Sequence, residues 1–318
     1  MSATDQQDGP AEIRNQGERL RTWGTFGEGD EKGALNYITA EHRIRAAQLV
    51  RRGAVFSLAL LITDGKGPMG HNPIGRFNPL HHMTATGQES GPLDMGATAD
   101  FTDDVLVIGC HSTTHWDALS HIYYGDRLYN GFPASDVGSE GATRVGIDKV
   151  HEDFVGRGVL LDLARYQGVE ALEPGYAIKP EELTACAERQ GVTVGEGDIL
   201  LIRTGALTRV EGTDWSGFHA APRPGLHYSA VEWMVDRRVA AVAADNNGVE
   251  APSTLPGVRN PLHMLALRDA GIHLGEFWNL EDLGTDCADD GNYEFMLIAQ
   301  PLRIAGGVGS PLNPLAIK

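Results

Sequence analysis

Residues 110–121 read CHSTTHWDALSH, so His111, His115, Asp117 and His121 fall at spacings of 0, +4, +6 and +10 directly after the apolar run DVLVIGC. Three of the chain's twelve histidines lie within the eleven residues 111–121, where even spreading would put about 0.4. Two imidazoles and a carboxylate make an open ligand set for a catalytic divalent cation, leaving positions for water and substrate. That role constrains the backbone. On a straight strand all four side chains share a face, but His111 and His121 would stand roughly 33 Å apart. A continuous helix turns the first two about 120° or more away from the last two. One cation gathers three of these groups only where the chain bends. His111 is therefore expected just after a strand over 104–110, His115 in a Ser/Thr-rich turn, and Asp117 near a helix start. Residue chemistry alone leaves two readings of the cluster: a metal site, or histidines that merely sit on the surface or in a satisfied core.

Outward from this segment, helical and strand patterns alternate. Thr39 is placed to cap a helix running to about Arg52, with Glu41 in its first turn and Gly53 as its stop. AVFSLALLI, residues 54–62, reads as a buried strand, and 63–102 as a long loop or a set of hairpins rich in Gly, Pro, His and Asn. Further strands are expected over 159–163, 199–204, 239–244, 272–277 and 295–304. Helices are expected from Pro180 to Gly191, from a Ser229 cap to Arg238, and near 261–270. Residues 1–22 are polar and aperiodic and read as a flexible N-terminal arm, with 23–318 as one α/β domain. No repeat period or low-complexity tract interrupts it.

Composition excludes several classes. The chain has 318 residues with 26 Lys+Arg against 43 Asp+Glu, a net charge of −17. Phosphate backbones and anionic membrane surfaces both select for clustered Lys and Arg, so neither a nucleic acid nor a membrane is the expected partner. No uninterrupted apolar run reaches 18 residues. Cys110, Cys186 and Cys287 are scattered and odd in number, which fits a reducing compartment, and the polar, acidic start MSATDQQDGP has no signal-peptide core. The expected location is the cytoplasm. The phosphate-loop, dinucleotide, serine-elbow and HExxH motifs are all absent.

The segment HSTTHWDALSH resembles the HxGTHxDxPxH signature of the metal-dependent cyclase family, which includes bacterial kynurenine formamidases and isatin hydrolases. All ligand-type positions match. Ser112 or Thr113 replaces the signature glycine, and Leu119 the proline. The likeness extends to NPLHMLALRDAGIHLGEFWNL, residues 260–280, and to PLRIAGGVGSPLNP, residues 301–314, and covers most of 23–318. It implies a swivelling β/β/α fold with a central barrel-like sheet and the metal at one end. It also implies that His111, His115 and Asp117 hold a first divalent metal, Zn²⁺ or Mn²⁺. In formamidase-like members Asp117 would bridge to a second metal completed by His263 and Glu276; isatin-hydrolase-like members use one. His121 takes the place of the general acid/base, and family members form homodimers or homotetramers that exchange loops near the pocket. The early-loop tryptophan that formamidases use has no counterpart in 54–79.

Together these readings point to a hydrolase of a small amide, lactam or lactone, in which the cation lowers the pKa of water toward about 7 and His121 carries the proton. The alternatives are cyclisation or dehydration with the same metal, or metal and ligand binding without turnover. Asp245 or Asn246 at a strand end, His71, His81 and His82 in the long loop, and the aromatics of residues 123–132 are further pocket candidates. For each of these an ordinary turn, an exposed loop or a core position is the simpler expectation.

Overall fold

The structure, a computed structural model, describes residues 8–69, 75–88, 99–210, 215, 218 and 222–318. Its strands are β1 (Val55–Ser57), β2 (Leu80–Ala85), β3 (Asp103–Val107), β4 (His115–Asp117), β5 (Val137–Gly138) and β6 (Gly141–Ala142). They continue with β7 (Val155–Asp162), β8 (Ala177–Ile178), β9 (Ile199–Arg203), β10 (Gly225–Leu226), β11 (Ala241–Ala244) and β12 (His273–Glu276). β13 (Glu294–Ile298), β14 (Gly309–Pro311) and β15 (Leu315–Ile317) complete the set. The helices are α1 (Asp8–Leu20), α2 (Ala40–Ala47), α3 (Leu163–Tyr166), α4 (Pro180–Gln190), α5 (Ala230–Asp236), α6 (Pro261–His263) and α7 (Glu281–Asp290). α6 runs on into a π-helical turn over Met264–Ala270.

Nine strands form one curled, half-barrel sheet in the order β1-β15-β13-β7-β9-β11-β12-β4-β14. β7, β9, β11 and β12 run parallel at its centre, and antiparallel strands flank them on both sides. The unbroken apolar runs of the sequence explain this arrangement, because a parallel strand covered on both faces has no polar side. Val159, Leu161, Leu200, Ile202, Val242 and Ala244 enter one core, under α4, α5 and the π-helical turn. Their neighbours Leu160, Ile199, Leu201, Ala241 and Ala243 enter a second core with Trp116, Phe154 and Phe295. The result is the mixed α/β class expected.

Several boundaries differ from expectation. Of the arm expected over 1–22, residues 1–7 lie outside the described residues, and Asp8–Leu20 form a helix with Ile13 and Leu20 buried against the π-helical turn. Two apolar anchors in thirteen residues leave little periodic signal, whereas Gly17 allows the helix to approach the Tyr124–Asp269 hydrogen bond closely. Thr39 does cap α2, its hydroxyl accepting from the His42 amide, but the helix stops at Ala47. The strand expected over 54–62 shrinks to β1, with Leu61 beyond it 87% exposed. β3 occupies most of the apolar run before the histidines, yet among the described residues it pairs only with β2, in a two-stranded ribbon, and all five of its residues are exposed. The run over 295–304 pairs only through Ile298.

Candidate metal centre

β4 delivers His115 and Asp117 to one face of the sheet, because alternate residues of a strand point the same way. Trp116 goes to the other face, where it stacks on Phe154 with centroids 4.6 Å apart. His115 is thus on a strand rather than in a turn, and Asp117 ends that strand beside the edge strand β14 rather than near a helix start. Bends on either side supply the fold-back that the spacing requires. Ser112 N donates to Gly109 O at 3.0 Å before β4, and His121 N to Ala118 O at 2.9 Å after it. β12 sets Glu276 opposite His115, and β14 sets Gly309 opposite Asp117. A Cβ at Gly309 would collide with the His111 imidazole, so the missing side chain makes room for that ring.

Two triads result, and Asp117 belongs to both. Its Oδ1 is 3.3 Å from His111 Nε2 and 3.4 Å from His115 Nε2. Its Oδ2 is 3.6 Å from His263 Nε2, which is itself 3.4 Å from Glu276 Oε1. Within each triad the donor atoms lie within 4.8 Å of one another. His121 Nε2 is 3.8 Å from Asp117 Oδ1, and its ring stacks on His111 with centroids 4.2 Å apart. All six site residues expected from the sequence therefore converge at one end of the half-barrel.

A divalent cation fits these donors. The ligand-facing atoms His111 Nε2, His115 Nε2 and both Asp117 oxygens are buried, without a hydrogen-bond partner among the described residues. Leaving such groups unpaired is costly, and a cation satisfies them at once. The ring of His115 is preset for it: Nδ1–H donates to Thr113 O at 2.7 Å, turning Nε2 inward. Electrostatics point the same way. Burial works against charge on both carboxylates, yet the surrounding imidazoles hold Asp117 well below the usual carboxylate range and Glu276 down to about 2. Burial likewise opposes charge on His263, but Glu250 and Glu276 push it up to about 10, and Asp117 and Glu276 raise His115. Buried carboxylates that stay ionised, and that raise the imidazoles beside them, provide a site for positive charge. His121 behaves differently. Burial pushes it down to about 4, with His111, His263 and Arg76 adding to the depression against the pull of Asp117.

An aromatic group borders the polar cluster. Phe277, buried with φ at +59°, holds its ring 5.8 Å from His115 and 5.6 Å from Phe218, which packs edge-on against Trp215. Thr114 pins this turn by donating to Phe277 O at 2.6 Å.

The weaker candidates join neither triad. Asp245 accepts from Thr204 N, Thr204 Oγ1 and Gly205 N and braces a turn, while Asn246 Nδ2 donates to Pro224 O. His81 pairs with Asp104 on the exposed ribbon, and His82 is exposed there too. His71 falls outside the described residues. Of the aromatics in 123–132, Tyr129 is core and Tyr124 binds Asp269. Sequence reading passed over Phe277, Gly309 and Glu250. Phe277 lies within the family-like stretch 260–280, Gly309 within 301–314 and Glu250 shortly after Asp245 and Asn246, but their residue types alone carry no sign of these contacts.

The half-barrel sheet with a histidine–carboxylate cluster at its end defines a class. The model of the Cyclase family matches residues 33–251, and the chain belongs to that family. A crystal structure described as a novel cyclase superposes with a TM-score of 0.86 at 40% identity, covering 95% of this chain and 99% of its own. The isatin hydrolase of Roseibium aggregatum is 25% identical over 221 residues, 67% of this chain and 73% of that one. Isatin hydrolase A from Ralstonia solanacearum shares the fold, with a TM-score of 0.63 at 21% identity, over 88% of this chain and 98% of its own. Among the described residues no helix is long and apolar enough to cross a membrane.

Proposed function

We propose that the protein is a metal-dependent hydrolase that opens the acyl C–N bond of a small amide or lactam, or the corresponding C–O bond of a lactone. The observation that carries this reading is the half-buried imidazole of His121, 3.8 Å from the carboxylate of Asp117 that the two triads share. His111, His115 and Asp117 would hold one Zn²⁺ or Mn²⁺, and Asp117, His263 and Glu276 a second. When bound, a divalent cation supplies Lewis acidity and a nucleophile potent at neutral pH. The remaining work falls to side chains. His121, neutral at pH 7, accepts the proton released as the carbonyl is attacked and returns it to the departing amine or alkoxide. Phe277 and its aromatic neighbours offer an apolar wall to the rest of the substrate. The lactam-opening activity that the name of the Roseibium relative denotes supports this choice of bond.

Chelator-stripped protein should be inactive on a panel of small amides, lactams and lactones, and Zn²⁺ or Mn²⁺ should restore turnover. Equal rates before and after reloading would end the proposal. The family's cyclase designation favours a second reading, ring closure or loss of water on an oxygenated substrate. Reaction in ¹⁸O-water separates the two, because only hydrolysis must place solvent oxygen in the product.

The proposal extends to assembly and location. β3 and β2 expose Val105, Leu106, Val107, Leu80 and Met83 on a two-stranded ribbon, which is marginal alone in water. A second copy of the chain is the proposed cover, making a homodimer or, as a dimer of dimers, a homotetramer, with a small-molecule substrate as the other partner. Light scattering on the wild type and on Leu106→Glu checks this. Three free cysteines suit a reducing cytoplasm.

A further inference from the structure

Glu250 is a buried carboxylate, 1% exposed, that the chemistry above does not use. Its partners are all donors. Oε1 accepts from His263 N at 3.1 Å and from His263 Nδ1 at 2.5 Å, and Oε2 accepts from Leu262 N at 3.0 Å. Both amides lie in the first turn of the helix that Pro261 opens, where the backbone has no internal acceptor and Asn260 supplies no side-chain cap. One carboxylate thus caps the helix from a distance and grips the ring of its third residue.

That grip decides what the far nitrogen does. With Nδ1–H committed to Glu250, Nε2 is the nitrogen left for a cation, and this is the atom facing Asp117 Oδ2 and Glu276 Oε1. The first triad is oriented differently, since His115 is held by the neutral carbonyl of Thr113. The backbone leading into Glu250 supports a dedicated role. Val249, a β-branched residue, has φ at +57°, directly after Gly248 at +108°. Such a conformation persists only where the surroundings over-determine it. Here Leu226 N donates to Val249 O at 2.9 Å, Ala251 N to Leu226 O at 3.0 Å, and Arg223 Nε to Glu250 O at 2.8 Å.

We propose that Glu250 is a positioning residue that sets the tautomer and aim of His263 and so determines whether the Asp117–His263–Glu276 triad takes up a second divalent cation. The inference rests on the proposed metal centre for the place of that cation. Its readout is cation binding without substrate, so a failed substrate screen leaves it standing.

The test compares the metal-free full-length wild type with Glu250→Gln, Glu250→Asp and His263→Ala. Each is titrated with Co²⁺, followed by its visible absorption, and bound Zn²⁺ is counted by elemental mass spectrometry after dialysis. Gln matches the size of Glu250 but cannot accept from Leu262 N and His263 Nδ1 through separate oxygens. The wild type should bind two equivalents. Glu250→Gln should keep the first within about twofold and weaken the second about 10- to 100-fold, as loss of a ligand's supporting contact does. His263→Ala should lose the second outright, and Glu250→Asp, which keeps the charge, should recover part of it. Circular dichroism of the metal-free variants reports folding; if the glutamine variant does not fold, Glu250→Asp carries the test through selective weakening of the second equivalent. Two tight equivalents in the folded glutamine variant, equal weakening of both, or a wild type that binds only one would each overturn the proposal. So would an aspartate variant indistinguishable from wild type where the glutamine variant does not fold.

Discussion

Glu276 stands directly across from His115 in the antiparallel pairing of β12 with β4, its Oε2 3.9 Å from the imidazole Nε2. The register of two strands, rather than any flexible loop, thus joins the two halves of the candidate centre.

Because Asp117 faces both triads and Glu276 completes only one, their isosteric amides should separate. Asp117→Asn is expected to lose both equivalents of cation, and Glu276→Gln one. Elemental analysis of dialysed, folded protein reads the difference. Equal losses in the two variants would show that Asp117 does not bridge.

Gly309 lies where any Cβ would strike His111. Gly309→Ala should therefore displace that ring and weaken the first cation by about 10- to 100-fold, the range for lost support of a ligand. Isothermal titration of the metal-free protein is the measurement. Unaltered affinity would mean that the ring has room elsewhere.

His121 stacks on His111 without completing either triad. His121→Ala should retain its cations while kcat falls by about 10²- to 10⁴-fold, the usual share of a proton-transfer group. A parallel fall in metal content would recast His121 as a ligand.

His273 offers a pH-dependent prediction away from the centre. Its ring is buried edge-on against Phe154, Nδ1 has no partner among the described residues, and burial pushes it down to about 3. Above about pH 6.5 the group is neutral in both folded and unfolded chains and costs nothing. As pH falls from 6.5 toward 3, only the unfolded chain takes up the proton, so the fold loses on the order of 1.4 kcal/mol per pH unit. His273→Leu removes this term. Melting of metal-free protein should show a gap between variant and wild type that widens from pH 7 to pH 4.5; a constant gap would contradict it.

Local chemistry made the ligands legible. Imidazoles and carboxylates crowded at short spacing are readable without coordinates, and so is the need for a bend, since neither a straight strand nor a helix brings His111 to His121. Unbroken apolar runs such as ILLIR and AVAA marked the central parallel strands for the same reason, because burial on both faces removes the polar alternation. Their absence misled at α1, where two anchors and a close-approach glycine do the packing. The apolar run before His111 does form a strand, β3, although its residues are exposed in a ribbon with β2.

Residue type and spacing determined which groups in this protein are able to bind a cation or to carry a proton, because those capacities belong to the side chains themselves. Only the tertiary structure decided that His115 and Asp117 share a strand face, that Glu276 meets them across β12, and that Glu250 reaches His263 from thirteen residues away. Strand register and hydrogen bonds between distant segments are set by packing of the whole sheet, and no local pattern encodes them.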